Sequence, residues 1–229
     1  RTFDVGVAPY GVVLAGRKVY VSNWGGRRPD ANSVTGPAGR GMLVRVDPVR
    51  YIANEGSVSV IDLDAGRVLS EVLVGLHSSG LALSPDGRHV VVANAGSDSL
   101  CVIDTRTDKV ADIISLRWHP NDFFGASPNA LAFDPSAKTL YVCNGTQNAI
   151  AVLAFKPRKS KLLGLIPTGW FPGDLAFDAK RKALHVANIK GIGSWKKYAP
   201  GETNKFNSHQ YYGSLSLVPL LVRRMQQPG

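Results

Sequence analysis

The side chains of this 229-residue chain that could do chemistry are few: five histidines, two cysteines and the aromatics and cations of its loops. His77, His119 and His209 are imidazoles that, gathered at one place, could hold a metal or act as a general base. None has a carboxylate at a diagnostic spacing, so they read as structural, and no metal site, cofactor or catalytic residue is expected. Cys101 and Cys143 have no metal-ligand spacing and read as free buried thiols. Gly36-Pro-Ala-Gly-Arg-Gly41 lacks the Gly-Lys-Ser/Thr ending of a phosphate loop and does not lead into a helix. Asp62-Leu-Asp64-Ala-Gly66 opens like a calcium loop without its distal Glu, and Asn144-Gly145-Thr146 is a sequon lying in a turn.

What remains is a set of aromatics and cations in surface segments: Trp24, Arg27 and Arg28; His77; Arg117, Trp118 and His119, followed by Phe123 and Phe124; Trp170 and Phe171; Trp195 and Tyr198, beside Lys196, Lys197, Tyr211 and Tyr212. Such residues either anchor an interface or pack loops onto the body, and the sequence leaves both open. They are the candidate ligand- or partner-binding set.

The elements that must position them follow from Ser79 to Asp104. Three short apolar runs are divided by Ser84-Pro85-Asp86-Gly87 and Asn94-Ala95-Gly96-Ser97, both turn signals, and a fourth run follows at Val110–Ile114. The runs are too short for helices and rich in β-branched residues, so the unit is a four-stranded antiparallel meander. It is written four times. Gly6, Gly75, Gly125 and Gly169 begin the copies; Pro9, Ser78, Pro128 and Pro172 follow; Val12, Leu81, Leu131 and Leu175 open the first strand; Asn23, Asn94, Asn144 and Asn188 end the second. The Asn is expected to bond the backbone of the turn it starts. Repeats of this length with four strands each are β-propeller blades, and the fold class is all-β. The blades fall at about 7–74, 75–116, 125–168 and 169–219, with 220–229 reading as a linker.

Strand alternation puts the lead-in to strand one and the loop between strands two and three on the same face. All the long insertions fall there: Trp24–Glu55, Arg117–Phe124 and Ile189–Tyr212. Insert one contains a strand-like run, Met42–Pro48. The other face carries short hairpins, including Lys156–Lys161. Loops on a rigid scaffold are where function concentrates, so the long-loop face is the expected binding face.

The second strands, Tyr20-Val-Ser-Asn23, Val91-Val-Ala-Asn94, Tyr141-Val-Cys-Asn144 and His185-Val-Ala-Asn188, resemble the Tyr-Val-Thr-Asn repeat of YncE-like propellers. Gly125–Asp134, Leu163–Pro172 and Ala187–Ser194 resemble the last blades of a subgroup in which the propeller precedes an alkaline-phosphatase-superfamily phosphoesterase domain. The resemblance implies a fragment of a roughly seven-bladed propeller. It implies a non-catalytic scaffold, with a protein partner or the adjoining catalytic domain on the long-loop face, and a periplasmic or extracellular setting. Arg1–Gly6 then reads as the outer strand of an earlier blade. A stand-alone binding module and a lactonase-type propeller enzyme are the alternatives. A rival architecture closes four blades into a ring by pairing Thr2–Val5 with Leu215–Val218.

Length suits one domain with a sizeable core. The net charge is +10, with no nucleic-acid motif beside it, and no run of about 18 apolar residues offers a membrane span. The basic clusters read as solvated surface.

Overall fold

A computed structural model describes residues 1–119, 121–194 and 211–220. The described residues form strands and turns, without a helix. Blade 1 is a sheet in the order β1 (Pro9–Ala15), β2 (Lys18–Asn23), β5 (Gly56–Asp62), β6 (Arg67–Val74). Insert one adds a two-stranded ribbon, β3 (Thr35–Pro37) and β4 (Leu43–Arg45). Blade 2 holds β7 (Ser78–Leu83), β8 (His89–Asn94), β9 (Ser99–Asp104) and β10 (Lys109–Ser115). Blade 3 holds β11 (Pro128–Phe133), β12 (Thr139–Asn144), β13 (Ala149–Ala154) and β14 (Lys161–Pro167). Blade 4 has three described strands, β15 (Pro172–Asp178), β16 (Ala183–Asn188) and β17 (Ser214–Pro219). All pairings are antiparallel.

The first strands are innermost and pack in series, β1 on β7, β7 on β11 and β11 on β15. Between consecutive blades lie three apolar layers. Tyr20, Val58 and Val60 meet Val90, Val92 and Ile103. Val91, Leu100 and Val102 meet Leu131, Leu140 and Leu153. Tyr141, Cys143 and Ile150 meet Leu175, Leu184 and Val186. Period-two alternation makes this possible, because every blade must bury both faces of its middle strands.

The blade-opening glycines have a steric cause. A Cβ on Gly6, Gly75 or Gly169 would lie 2.7 Å from the side chain of Asn23, Asn94 or Asn188. Gly125 departs from the pattern, with φ of 152° and open space around it. The asparagines correct the sequence expectation. Their amides do not bond the following backbone but reach into the third strand: Asn23 Nδ2 donates to Ser57 and Ser59 Oγ, Asn94 to Ser99 Oγ, and Asn188 to Ser214 and Ser216 Oγ. Asn144 instead donates to Gln147 Oε1. A hydroxyl on the adjacent strand fills the amide better than a turn backbone already satisfied by its own bonds.

Arg1–Gly6 has no assigned strand and lies against blade 1, with Gly6 N donating to Ser59 Oγ. The closed four-bladed ring is not formed: Leu215 is 70% exposed, and β15 and β1 do not pack on each other as neighbouring inner strands do. In insert one the strand-like run is reduced to β4, followed by a single bridge from Val46 to Ala53.

Candidate binding face

The blades are stitched together on the long-loop side by a repeated backbone device. Ala8, His77, Ser127 and Phe171 hold equivalent places before the first strand, and all four are left-handed, with φ of 54°, 52°, 49° and 54°. Each carbonyl accepts the N–H just after the blade's terminal Asn: Trp24, Ala95, Gly145 and Ile189. Non-glycine residues avoid this conformation unless their surroundings hold them in it, and here paired hydrogen bonds do so. The lead-in loops and the loops between strands two and three thus share one face by direct bonding.

A second anchor links blade to blade. Asp98, 2% exposed, accepts N–H bonds from Gly125 (2.6 Å), Ala126 (3.0 Å) and Ser127 (2.9 Å) of the next lead-in. Asn148, at the equivalent place one blade on, accepts from Phe171 N at 2.9 Å. The main-chain carbonyls of Asp98 and Asn148 take Leu116 N and Thr168 N, again equivalent. The sequence reading missed Asp98. Its signal was positional: it lies four residues after Asn94, as Asn148 does after Asn144.

The structure divides the candidate residues into two groups. The first is occupied in packing. His77 stacks on Trp24 with centroids 4.3 Å apart, and burial lowers its pKa, so the ring is held neutral against the indole. Phe171 lies over Gly145, where a Cβ would come within 3.0 Å of its ring, and Lys190 Nζ sits 5.4 Å from its centroid. These rings cap the preceding blade. Arg27 forms a two-point pair with Glu55, at 2.9 and 2.5 Å, and this holds the Glu55 carboxyl below its usual pKa. Arg28 donates to Val5 O at 2.8 Å. Arg45 bonds Asp30, and Arg50 bonds Asp47, so much of the basic charge of insert one closes the insert on itself.

The second group faces water. Trp118, Phe123, Phe124 and Trp170 are exposed, Phe123 almost completely at 98%, with Ile189, Ile192 and Tyr212 exposed beside the blade 4 turn. The Arg117 guanidinium lies 4.6 Å over the Phe124 ring. His119 takes the Asn121 N–H on its Nδ1 at 3.2 Å, which spends that nitrogen locally. Insert two is joined to the blade 3 turn, since Thr146 Oγ1 donates to Gly125 O, and that turn carries Phe171. Trp195, Tyr198 and His209 lie outside the described residues. Ile189 and Ile192 extend the candidate set; residue type alone could not show which apolar side chains the scaffold leaves uncovered.

Two cavities open nearby. One, about 520 Å³, lies beside insert one between Val7, Pro9, Arg28, Pro29, Met42 and Leu43. The other, about 390 Å³, is the channel between inner strands, lined by residues that include Tyr10, Val12, Leu81, Asn129, Leu131 and Asp174. Among the described residues no group of three metal-ligating side chains forms. Both thiols are buried and uncoupled to any base: burial pushes Cys101 up and Cys143 up to about 12, which removes them as nucleophiles at neutral pH.

Comparison with known proteins agrees with the architecture. The 6-phosphogluconolactonase of Bacillus subtilis is 22% identical over 142 residues, 62% of this chain and 40% of its own length. The chain thus spans well under half of that relative. Among solved structures, Kuenenia stuttgartiensis hydrazine synthase superposes with a TM-score of 0.55 at 16% identity, over 78% of this chain and 54% of that one. The Cps50 (Swd1) β-propeller domain of Myceliophteria thermophila gives 0.55 at 12% identity, over 83% and 51%. At these identities the likeness shows the propeller fold alone. The cytochrome D1 heme domain family model matches residues 47–197, well over half of the sequence. On that match, the chain belongs to the cytochrome D1 heme domain family.

Proposed function

We propose that this chain is a binding scaffold without catalytic residues of its own, which holds a protein partner or an adjoining domain on its long-loop face. One observation carries the reading: the apolar side chains Trp118, Phe123, Phe124, Trp170 and Ile192 stand exposed on that face, with Arg117 stacked among them. Aromatic and arginine clusters left open on a rigid frame are what interface anchors look like before the partner arrives. The YncE-like spelling and the resemblance of Gly125–Asp134 and Leu163–Pro172 support a larger, exported protein with a phosphoesterase domain as its context.

The matching family is named for a haem-binding domain. A haem needs an axial ligand, an imidazole, thiolate, thioether or phenolate, with a pocket shaped around it. The channel lining contains no histidine, cysteine or methionine. His77 is turned onto Trp24, and the cavity beside insert one offers Met42 and Arg28 but no imidazole. The channel offers only the exposed Tyr10 phenol as a ligand, with no imidazole, thiolate or thioether beside it, and no chemistry is derived through the group.

A photo-crosslinking residue at Phe123 tests the scaffold reading in the full-length protein. Crosslinks should map to one partner segment, whereas the same residue at Ser136, in a short-face hairpin, should give none. Equal or absent crosslinking from both positions would sink the proposal.

The likeness to 6-phosphogluconolactonase favours one second reading, a lactone hydrolase working from the channel. Hydrolysis needs a positioned base, and the channel offers only Asp174, whose Oδ1 already accepts its neighbour Leu175 N at 2.8 Å. The purified chain should therefore hydrolyse 6-phosphogluconolactone no faster than the spontaneous rate; turnover lost in Asp174→Asn would establish the enzyme instead.

A further inference from the structure

Opposite the long loops, aspartates shape the hairpins by spending an oxygen on their own turns. Asp62 Oδ1 accepts the N–H groups of Asp64 and Ala65, and Asp104 Oδ1 those of Arg106 and Thr107. Asp134 Oδ1 takes Lys138 N and Thr139 N, and Asp178 Oδ1 takes Arg181 N. Blade 3 breaks the rule at its second hairpin. The pairings Lys18↔Asp62 and His89↔Asp104 are matched there by Thr139↔Ala154, so the place of the acid falls to an alanine. A neutral group closes that turn instead: Ser160 Oγ accepts Lys156 N and donates to Lys156 O, each at 3.0 Å. Without its acid the hairpin leaves Lys156, Arg158, Lys159 and Lys161 exposed, with no ion pair among the described residues.

The hairpin is pinned to the body of the protein. Arg158 N donates to Asp112 Oδ2 of blade 2 at 2.6 Å, and Phe155 N to Lys138 O of the neighbouring turn at 2.7 Å. Phe177 stacks on Tyr141 of blade 3 and so sets the turn after β15 against that blade. This turn carries Lys180, Arg181 and Lys182, all exposed, and of these only Arg181 holds a carboxylate, Asp178 at 2.9 Å. With Lys138, the three turns of blades 3 and 4 present eight cations against Asp112, Asp134 and Asp178, an excess of five, half of the +10 of the whole chain. The equivalent turns of blades 1 and 2 hold six cations against five aspartates and close on themselves through Arg17–Asp64 and Lys18–Asp108. The positive charge is therefore a patch on one half of this face.

We propose that this patch seats the protein on an anionic lipid surface, with the long-loop face turned away from it. Six of the eight cations are lysines, point charges on flexible stems, whereas the forked recognition of single phosphates and bases is the work of arginine. No exposed aromatic ring of the described residues lies in these turns. That removes the stacking platform of a single-strand binder and the anchors of a protein interface. Clustered lysines without rings suit the headgroups of a bilayer, where four to eight basic side chains act together through the surface potential. Such attachment stays at the surface, and among the described residues no helix is long and apolar enough to cross a membrane. The inference is independent of the partner proposed for the long-loop face.

Sedimentation of the full-length protein with vesicles reads the outcome. Phosphatidylcholine vesicles containing about 30% phosphatidylglycerol should bind it at about 0.05 M salt and release it at about 0.5 M, where charges are screened within a few ångströms. Lys156→Gln/Lys159→Gln/Lys161→Gln should weaken binding about a hundredfold, at about fivefold for each cation near the surface. Arg67→Gln/Arg88→Gln/Arg106→Gln, the same change of charge on blades 1 and 2, should weaken it by less than about fivefold. In the unmodified protein the vesicles should shield Lys156, Lys159, Lys161 and Lys180 from acetylation, a readout that survives if a variant does not fold. Any of five results overturns the proposal. Anionic vesicles that bind nothing do so directly, as does acetylation that they leave unchanged. Equal losses in the two triple variants mean attraction without a site, and binding that survives the higher salt means attachment through another surface. A DNA duplex bound more tightly than the vesicles, and lost in the lysine variant, means a nucleic-acid partner instead.

Discussion

Asp98→Ala should lower the stability of the chain by about 4 kcal/mol, more than any substitution on the exposed face. The carboxylate accepts three successive N–H groups at the start of blade 3, at 2.6–3.0 Å. Hydrogen bonds to a charged acceptor contribute about 1.5–3 kcal/mol each, and a buried donor left without one costs about 1–3 kcal/mol. The three do not add in full, because only the Ala126 bond is fully buried and the other two donors can turn to water. Alanine meets a further penalty: Asp98 is left-handed at φ 45°, which costs a side chain with a Cβ and no local hydrogen bond about 1 kcal/mol. Two control substitutions separate these effects. Asp98→Gly keeps the conformation and removes only the acceptor, so it should cost about 3 kcal/mol. Asp98→Asn, the residue that blade 3 uses at Asn148, should cost about 1 kcal/mol. Urea denaturation measures all three through the midpoint at unchanged m-value. A loss below about 0.5 kcal/mol for Asp98→Ala, the range of an ordinary surface change, would show that the junction is held by other means.

Gly80→Ala comes next. The inner strands β7 and β11 approach so closely that a Cβ at Gly80 would lie 2.4 Å from Asn129 O and 2.9 Å from Ala130 Cα. Both obstacles are main chain at the bulge of β11, held between the paired residues Pro128 and Ala130, so neither can swing aside as a side chain would. Overpacking a close contact costs about 1–3 kcal/mol, and this site belongs at the upper end. For a chain of this size, about 3 kcal/mol lowers the melting temperature by roughly 10 °C. The equivalent Gly11, one blade earlier, meets its nearest obstacle only at 3.2 Å. Gly11→Ala should therefore melt several degrees above Gly80→Ala in a calorimetric comparison. Equal melting temperatures would mean that the blade 2–3 contact can relax, and that inner-strand spacing is not set by these glycines.

The meander was legible because its signals are local. Short apolar runs such as Val90–Ala93 or Leu140–Cys143, and turn residues such as Ser84–Gly87, report directly on strands and hairpins. The joints were not legible, because they depend on backbone conformation and distant partners. Ala8, His77, Ser127 and Phe171 share one left-handed geometry and no chemistry, so no residue type announces it. The basic charge of insert one looked available from sequence, but Arg27, Arg45 and Arg50 each hold a carboxylate of the same insert, a pairing no spacing rule foretells. The aromatics were recognised as a class. Whether a ring is buried, as Tyr20 is against Asp108, or bare, as Phe123 is, was decided by which loop it fell in and what that loop could reach.

The left-handed residue ahead of each inner strand has a consequence for how this scaffold can change. Its geometry is secured by main-chain bonds that any side chain leaves intact, so alanine, histidine, serine and phenylalanine are all accommodated there. Four such places recur around one axis, on the side that carries the long loops. They amount to a set of interchangeable mounts, through which the rim could be redecorated one group at a time while the sheets beneath stay untouched.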